Sequence, residues 1–217
     1  MKTIFRYSAA KIIHWYDRIA ALYDPVTEWF YRPMRRDLLE AMALKAGDRV
    51  LVIACGTGQN FDLLEEKIGA EGEIVAVDYS QAMLERARRR VEKHGWKNIR
   101  LLRADARRID REYLETLRID PLFDAVDAEL AFTVIPAWKK VMENSTDLLK
   151  PGGKLGILDW YRPKNDVLTR LVNFLARAET TRDVAGYARK LLGNFTVVKT
   201  YFFGNVFIGV GKNESKI

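Results

Sequence analysis

The chain has 217 residues, 48% hydrophobic and 30% charged, which predicts a single domain, residues 1–217, with a substantial core. Its longest apolar stretches are too short to span a membrane, and Arg6 and Lys11 interrupt the N-terminal apolar pattern that a signal peptide requires. Because Cys55 has no second cysteine to pair with, we expect a cytoplasmic protein without disulfides.

Positive charge is concentrated in one segment of the chain. Between Arg86 and Arg111 there are eleven Lys and Arg but three Asp and Glu, so the excess in this segment is larger than the net charge of +7 of the whole chain. A solvated helix and sheet edge is one explanation. The other is attraction to a polyanion, for which we expect an anionic membrane surface as the partner and no nucleic acid.

The first 46 residues are predicted to be helical and to precede the first strand. Apolar residues from Lys11 to Phe30 recur at intervals of three and four, Pro25 ends or kinks this helix, and a second helix runs over 35–44. Tyr16 and Tyr23 are seven residues apart and therefore lie on one helical face. This face either packs on the core or closes over a site as a lid, and the cations beside it predict contact with an anionic membrane.

From residue 47 onward, strands and helices alternate, which predicts a parallel sheet with helices on both faces. The predicted fold is α/β, a doubly wound, seven-stranded, mostly parallel sheet with a C-terminal antiparallel hairpin, in which 1–46 form an N-terminal helical lid and 47–217 the cofactor-binding core. Helices are expected at 59–68, 80–94, near 110–117, 137–149, 166–178 and 183–192. Strands are expected at 49–54, 73–78, 99–103, 123–130, 153–159, 195–202 and 205–211.

The most specific motif runs from Val50 to Asn60, where a buried strand enters a loop of small residues. Gly56 and Gly58 allow backbone N–H groups to approach a ligand closely. The next strand ends on Asp78, at the spacing where the ribose of a bound nucleoside would lie, and a carboxylate can accept hydrogen bonds from both ribose hydroxyls. The pattern therefore predicts an adenosyl-cofactor site.

Across residues 45–160, the order of these motifs resembles that of the class I S-adenosylmethionine-dependent methyltransferases, which have a Rossmann-like fold. The resemblance implies S-adenosylmethionine as cofactor, S-adenosylhomocysteine as product, and no metal. It implies that the glycine loop faces the methionine moiety and Asp78 the ribose. The remaining residues that it assigns to the cofactor are Tyr79 and Met83 on the adenine faces, Asp105 and Ala106 on the adenine edge, and Tyr16, Tyr23, Ala54, Cys55, Gly56, Thr57, Gly58, Asn60, Ser80 and Glu129.

The chain departs from the family pattern at the start of this loop. The family usually has Asp or Glu two residues before the first glycine of a Gly-x-Gly-x-Gly loop, whereas this chain has Val52 there and Ala54 in place of the glycine. Alanine fits a close approach if its φ is negative, so we expect Ala54 to be a mild change. Val52 removes a carboxylate that commonly organises the loop or the cofactor's amino group.

A second resemblance concerns the methyl acceptor. The repeated Tyr-Asp at Tyr16 and Tyr23, together with the segments 129–138 and 157–160, is similar to bacterial N-methyltransferases of phosphatidylethanolamine and of betaine lipids. This resemblance implies N-methylation of the amine headgroup of a membrane lipid, by a protein associated peripherally with the inner face of the membrane. A primary amine must lose a proton before it attacks, and the residues that we predict to be catalytic are Tyr16, Glu129, Asp159 and Tyr161.

Two other functions stay open at this point. A C- or O-methyltransferase of a prenylated quinone or another lipophilic small molecule would share the N-terminal helix and the cofactor core. A non-catalytic membrane- or nucleic-acid-binding protein would explain Val52 and the basic segment. Residue types exclude further acceptors, because cytosine carbon methylation needs a cysteine outside the cofactor loop and a metal-dependent catechol site needs ligands nearer the strand ends than His14 and His94.

Overall fold

The computed structural model describes residues 27–164 and 166–214, and within them seven strands form one sheet in the order β3-β2-β1-β4-β5-β7-β6. Neighbouring strands from β3 to β5 pair in parallel, and β7 runs antiparallel to both β5 and β6. The predicted α/β fold with its C-terminal hairpin is confirmed. The strands are Arg49–Ile53 (β1), Glu73–Asp78 (β2), Ile99–Arg103 (β3), Phe123–Glu129 (β4), Leu149–Trp160 (β5), Thr196–Tyr201 (β6) and Val206–Lys212 (β7).

Helices connect these strands on both faces of the sheet. They cover 27–42 (α1), Phe61–Ile68 (α2), Gln81–His94 (α3), Arg111–Thr116 (α4), Trp138–Asp147 (α5), Val167–Ala176 (α6) and Val184–Leu191 (α7), with a single 3-10 turn at Ala106–Arg108.

Strand β1 shows why the central strands are apolar without alternation. Val50 and Val52 belong to the buried cluster beneath α1, α2 and α3, whereas Leu51 and Ile53 belong to the cluster beneath α4, α5 and α7. Side chains of a strand point alternately to opposite faces, so a strand covered by helices on both faces needs apolar residues at every position. This requirement explains why the residues from Val50 to Ile53 are all apolar.

The N-terminal region differs from the prediction where the structure describes it. Helix α1 runs without a break over 27–42, although a second helix was predicted to begin only at residue 35 and Pro33 lies inside the run. A proline in a helix interior costs about 3 kcal/mol, and α1 offsets that cost by burying an apolar face of Met34, Leu38, Leu39 and Met42. The predicted contacts of Tyr16 and Tyr23 and the break at Pro25 lie outside the described residues.

Strand β5 begins earlier than predicted. Its pairing with β4 moves from Phe123 opposite Leu149 to Ala125 opposite Lys154, so the segment between them forms a bulge instead of a separate turn. Gly152, with φ of 82°, supplies the left-handed residue that this irregularity requires.

The sheet topology leaves a crevice at the carboxyl ends of β1 and β4. The chain leaves β1 toward β2 on one side, while β4 lies on the other side of β1, so the two connections separate at this point. Open α/β sheets bind ligands at such a switch point. Among the described helices, none combines the length and the apolar character needed to cross a bilayer.

Candidate active site

The loop after β1 brings its backbone close to this crevice. Ala54, Gly56 and Gly58 have φ of 54°, 55° and 73°, and the Cys55 N–H donates to the Val77 carbonyl on β2 at 2.9 Å. The left-handed conformation costs an alanine about 1–2 kcal/mol more than a glycine. The negative φ expected for Ala54 is therefore wrong, and the replacement of glycine at this position is a strained change instead of a mild one.

Asp78 ties the loop to the start of α3. Its Oδ2 accepts from the Gly56 N–H and its Oδ1 from the Ser80 N–H, each at 2.8 Å, and Ser80 caps α3 by accepting from the Met83 N–H at 3.1 Å. The same carboxylate lines the crevice, where the ribose is predicted to lie. Burial, and then the charge of Asp78, raise the pKa of the Cys55 thiol well above its usual range, which favours a small loop residue over a reactive thiolate.

One half of the crevice is mostly apolar and follows the ends of β2 and β3. Asp105, predicted to contact the adenine edge, accepts from the Arg107 backbone N–H at 3.0 Å and from Arg107 Nε at 2.9 Å. These hydrogen bonds from Arg107 lower the pKa of the Asp105 carboxyl. Arg107 was not predicted as a site residue. This half is lined by Val77, Asp78, Tyr79, Ser80, Met83, Ala104, Asp105, Ala106, Arg107, Val134, Ile135 and Pro136.

The other half of the crevice is polar and lies between α1, the glycine loop and the end of β4. Arg35 Nε donates to Glu129 Oε2 at 2.7 Å, with side chains 6% and 9% exposed. Asn60 Nδ2 donates to Asp127 Oδ2 at 2.6 Å. Arg35, Asn60 and Glu129 line this small cavity together with loop residues 52–57 and Gln59. The structure thus brings together the predicted residues Asn60 and Glu129, and it adds Arg35 and Asp127, which the sequence analysis missed.

Burial controls the ionisation of this polar half. It raises the pKa of Asp127 well above its usual range, and the charge of Glu129 raises it further. Burial also raises the pKa of Glu129, against the opposing effects of Arg35 and Asn60. The ionisation of the two carboxyls is therefore linked, and Arg35 favours the charged form of Glu129.

Comparison with known families identifies the cofactor of this protein. The family model described as the ubiE/COQ5 methyltransferase family matches residues 6–177, which is most of the chain. The chain belongs to this family. Its members are S-adenosylmethionine-dependent methyltransferases, so S-adenosylmethionine is the cofactor, as the glycine loop and Asp78 predicted.

Individual curated proteins and solved structures are similar to the chain at 20–31% identity. A demethylmenaquinone methyltransferase of Bacillus cereus is 27% identical over 68% of this chain and 61% of the relative. A 2-phytyl-1,4-naphtoquinone methyltransferase of Synechococcus elongatus is 31% identical over 70% of this chain and 65% of the relative. The matches thus span less than two thirds of either curated relative. A crystal structure of a SAM dependent methyltransferase from Aquifex aeolicus, 20% identical, covers 96% of this chain and 100% of that one with a TM-score of 0.63.

These comparisons correct the second resemblance made from the sequence. The two curated relatives are named for naphthoquinone or menaquinone substrates, and the resemblance to N-methyltransferases of phospholipids and betaine lipids is not supported. The predicted methyltransferase class agrees with the family, and the acceptor named as the alternative is the one that the relatives' names favour.

The residues predicted to be catalytic do not converge in the described structure. Glu129 lines both halves of the crevice. Asp159 is fully buried and lines neither half; its oxygens accept from the Thr133 N–H at 3.1 Å, the Thr133 hydroxyl at 2.6 Å and the Trp160 N–H at 2.8 Å. These bonds fasten the loop after β4 to β5. Burial raises the pKa of Asp159 to about 6, partly offset by the hydrogen bonds from Thr133 and Trp160.

The aromatic candidates also differ in their positions. Tyr161 is half-buried against the core, and its backbone N–H donates to the Asn205 carbonyl at 2.8 Å. The Trp160 indole donates to the Tyr31 hydroxyl at 2.9 Å, whereas Tyr16 lies outside the described residues. His94 stacks on Trp96 with ring centroids 4.4 Å apart, and no group of three potential metal ligands occurs within 27–164 and 166–214.

Proposed function

We propose that this protein transfers the methyl group of S-adenosylmethionine to a ring carbon of a prenylated quinol or a closely similar lipophilic aromatic ring. The observation that carries this proposal is membership of the ubiE/COQ5 family over residues 6–177, supported by relatives named for demethylmenaquinone and 2-phytyl-1,4-naphtoquinone. The acceptor enters here as a proposal because the match spans only part of each relative.

The wall of the crevice beyond the glycine loop suits an apolar acceptor. Leu130, Val134, Ile135 and Pro136 follow β4 directly and line the crevice beside Glu129. An aromatic ring gains free energy from contact with such side chains, at about 25 cal/mol per Å² of apolar surface removed from water. A lipid amine headgroup would instead require polar partners at the same place.

Methyl transfer from a sulfonium is an in-line displacement, in which the ring carbon attacks the methyl carbon and S-adenosylhomocysteine leaves with the electron pair of the broken carbon–sulfur bond. The protein's main contribution is to hold donor and acceptor in line and to exclude water. We assign Glu129 to the cofactor, since its carboxylate lies against the glycine loop and α1. Tyr16, Asp159 and Tyr161 remain predictions for moving the proton that the ring gives up.

To test this proposal, the purified protein is incubated with methyl-labelled S-adenosylmethionine and each of two acceptors, and the labelled product is identified. One acceptor is a short-chain prenyl naphthoquinol kept reduced, and the other is phosphatidylethanolamine in vesicles. We expect the label on the quinol, and on carbon, so that it resists treatment that cleaves methyl ethers. Label on an ether oxygen would show that the methyl group is transferred to oxygen and not to a ring carbon. Label on the amine of phosphatidylethanolamine would contradict the proposal. Asp78→Ala, which we expect to bind the cofactor at least tenfold more weakly, serves as the control at subsaturating cofactor.

A further inference from the structure

Strand β4 carries a carboxyl beside the position where β1 lacks one. Val52 of β1 pairs in register with Asp127 of β4, and residues paired in neighbouring parallel strands point to the same face of the sheet. Asp127 is therefore the immediate neighbour of Val52 on the face covered by α1 and α2, and both side chains are buried. The acidic group absent from β1 is present one strand away.

Asp127 acts on the glycine loop through Asn60. Asn60 stands at the N-cap of α2, where its side chain makes no capping hydrogen bond. The side chain is instead directed to Asp127, with Nδ2 and Oδ2 2.6 Å apart. An N-cap asparagine usually contributes by bonding to the helix N–H groups. Here that interaction is given up for a contact that fixes the end of the glycine loop to β4.

The buried polar cluster is incomplete in a way that points to a ligand. Arg35 Nη1, Asp127 Oδ1 and Glu129 Oε1 are buried and have no hydrogen-bond partner among the described residues. Leaving such an atom without a partner costs about 1–3 kcal/mol, and more for a charged group. The cluster offers one cationic donor and carboxyl acceptors a short distance apart, beside the loop that faces the cofactor. A zwitterionic amino-acid group has the complementary carboxylate and ammonium.

We propose that Arg35, Asn60, Asp127 and Glu129 form the subsite for the amino-acid end of the cofactor and replace the carboxylate missing from β1. Arg35 binds the cofactor's carboxylate and Glu129 its ammonium, because these two side chains line the cavity. Asp127 is a positioning residue that acts through Asn60. The proposal rests on the cofactor and is independent of the methyl acceptor, so it stands or falls separately from quinol methylation.

A pair of ligands tests this subsite by calorimetry. S-adenosylhomocysteine has the amino-acid end, and methylthioadenosine has the same adenosyl group without it. Loss of one charge-assisted hydrogen bond corresponds to an affinity loss of about tenfold or more. We expect Arg35→Gln and Asp127→Asn each to weaken S-adenosylhomocysteine by about tenfold or more while methylthioadenosine stays within about twofold of wild type. A cluster that only stabilises the fold would weaken both ligands in parallel, and unchanged S-adenosylhomocysteine binding would likewise overturn the proposal.

Matched controls come from the amino-terminal ends of the same two strands, β1 and β4, away from the crevice. Arg49 binds Glu73 at 2.8 Å as Arg35 binds Glu129, and Asp124 lies on the same strand as Asp127 and accepts from Lys150. Arg49→Gln and Asp124→Asn should leave the ratio of the two ligand affinities as in wild type. If Asp127→Asn fails to fold, Arg35→Gln and Glu129→Gln decide the question, because both side chains line the cavity.

A double variant tests the replacement of the β1 carboxylate directly. Val52→Asp combined with Asp127→Val exchanges the two neighbouring side chains and keeps the composition of the pair. We expect this variant to recover at least part of the preference for S-adenosylhomocysteine that Asp127→Val alone loses. A double variant with no more preference than Asp127→Val would overturn the claim that the two positions serve one role.

Discussion

Asp127 on β4 and Asp159 on β5 are both fully buried carboxyls near the ends of neighbouring strands, and they differ in what surrounds them. Asp159 receives three hydrogen bonds from Thr133 and Trp160, so its acceptors are used within the fold. Asp127 receives one hydrogen bond, from Asn60, and its Oδ1 has no partner among the described residues. The difference separates a carboxyl that holds a loop in place from one that belongs to a ligand subsite.

The largest effect that we predict tests the surroundings of Asp127. Val52→Asp adds a second carboxylate beside it at a position only 2% exposed, and an unpaired buried charge destabilises a protein by about 3–5 kcal/mol. We expect the free energy of unfolding, measured by urea titration, to fall by that amount. Val52→Asn is the control for polarity without charge and should cost less. An unchanged midpoint for Val52→Asp would show that this strand end already accommodates a charge.

A smaller effect tests Asp159 through the dependence of stability on pH. Its pKa is about 6 in the folded protein and 3.8 in the unfolded chain, so the stabilisation is full below about pH 4 and is lost as pH rises through 6. At 1.36 kcal/mol per pKa unit, the loss is about 3 kcal/mol. Relative to Asp159→Asn, wild type should lose about this much stability between pH 3 and pH 7. The measurement is urea unfolding of both proteins at the two pH values, and a constant difference would contradict the role given to Asp159.

The half of the crevice at the ends of β2 and β3, which is predicted to bind adenosine, provides the next test. Asp78→Ala removes the carboxylate that holds Gly56 and Ser80 and that is predicted to bind the ribose. Each charge-assisted hydrogen bond is worth about 1.5–3 kcal/mol, so cofactor affinity should fall at least tenfold. In contrast to Arg35→Gln, the loss should be equal for S-adenosylhomocysteine and methylthioadenosine. Calorimetry measures it, with circular dichroism to verify the fold, and unchanged affinity would refute the assignment of Asp78.

The smallest predicted effect is a gain in stability. Ala54→Gly relieves a left-handed alanine, worth about 1–2 kcal/mol, against roughly 0.5–1 kcal/mol of extra chain entropy in the unfolded state. The net result should be a stabilisation of about 0.5–1 kcal/mol, seen as a higher melting temperature. A lower melting temperature would show that the methyl group of Ala54 makes packing contacts worth more than the strain.

The arrangement of the glycine loop around Asp78 was predictable from the sequence because its parts are local. The glycine loop, Asp78 and the start of α3 follow one another within one strand-helix unit, and their spacing carries the information. The pairing of Glu129 with Arg35 and of Asn60 with Asp127 was not predictable, since the partners are 94 and 67 residues apart. One signal was present: Asp127 is a carboxyl within the otherwise apolar stretch 125–128 of β4. The contacts of Asp159 with Thr133 and Trp160 could not be predicted either, because a strand-end acid can face a site or fasten a neighbouring loop, and its catalytic role stays a prediction.

The most direct test of this account is a crystal structure of the complex with S-adenosylhomocysteine. We expect adenosine in the half formed by β2 and β3, with the ribose at Asp78. We also expect the ligand's carboxylate within hydrogen-bond distance of Arg35 Nη1 and its ammonium within hydrogen-bond distance of Glu129 Oε1. An amino-acid end directed away from both side chains, with these two atoms still unpartnered, would contradict the central claim.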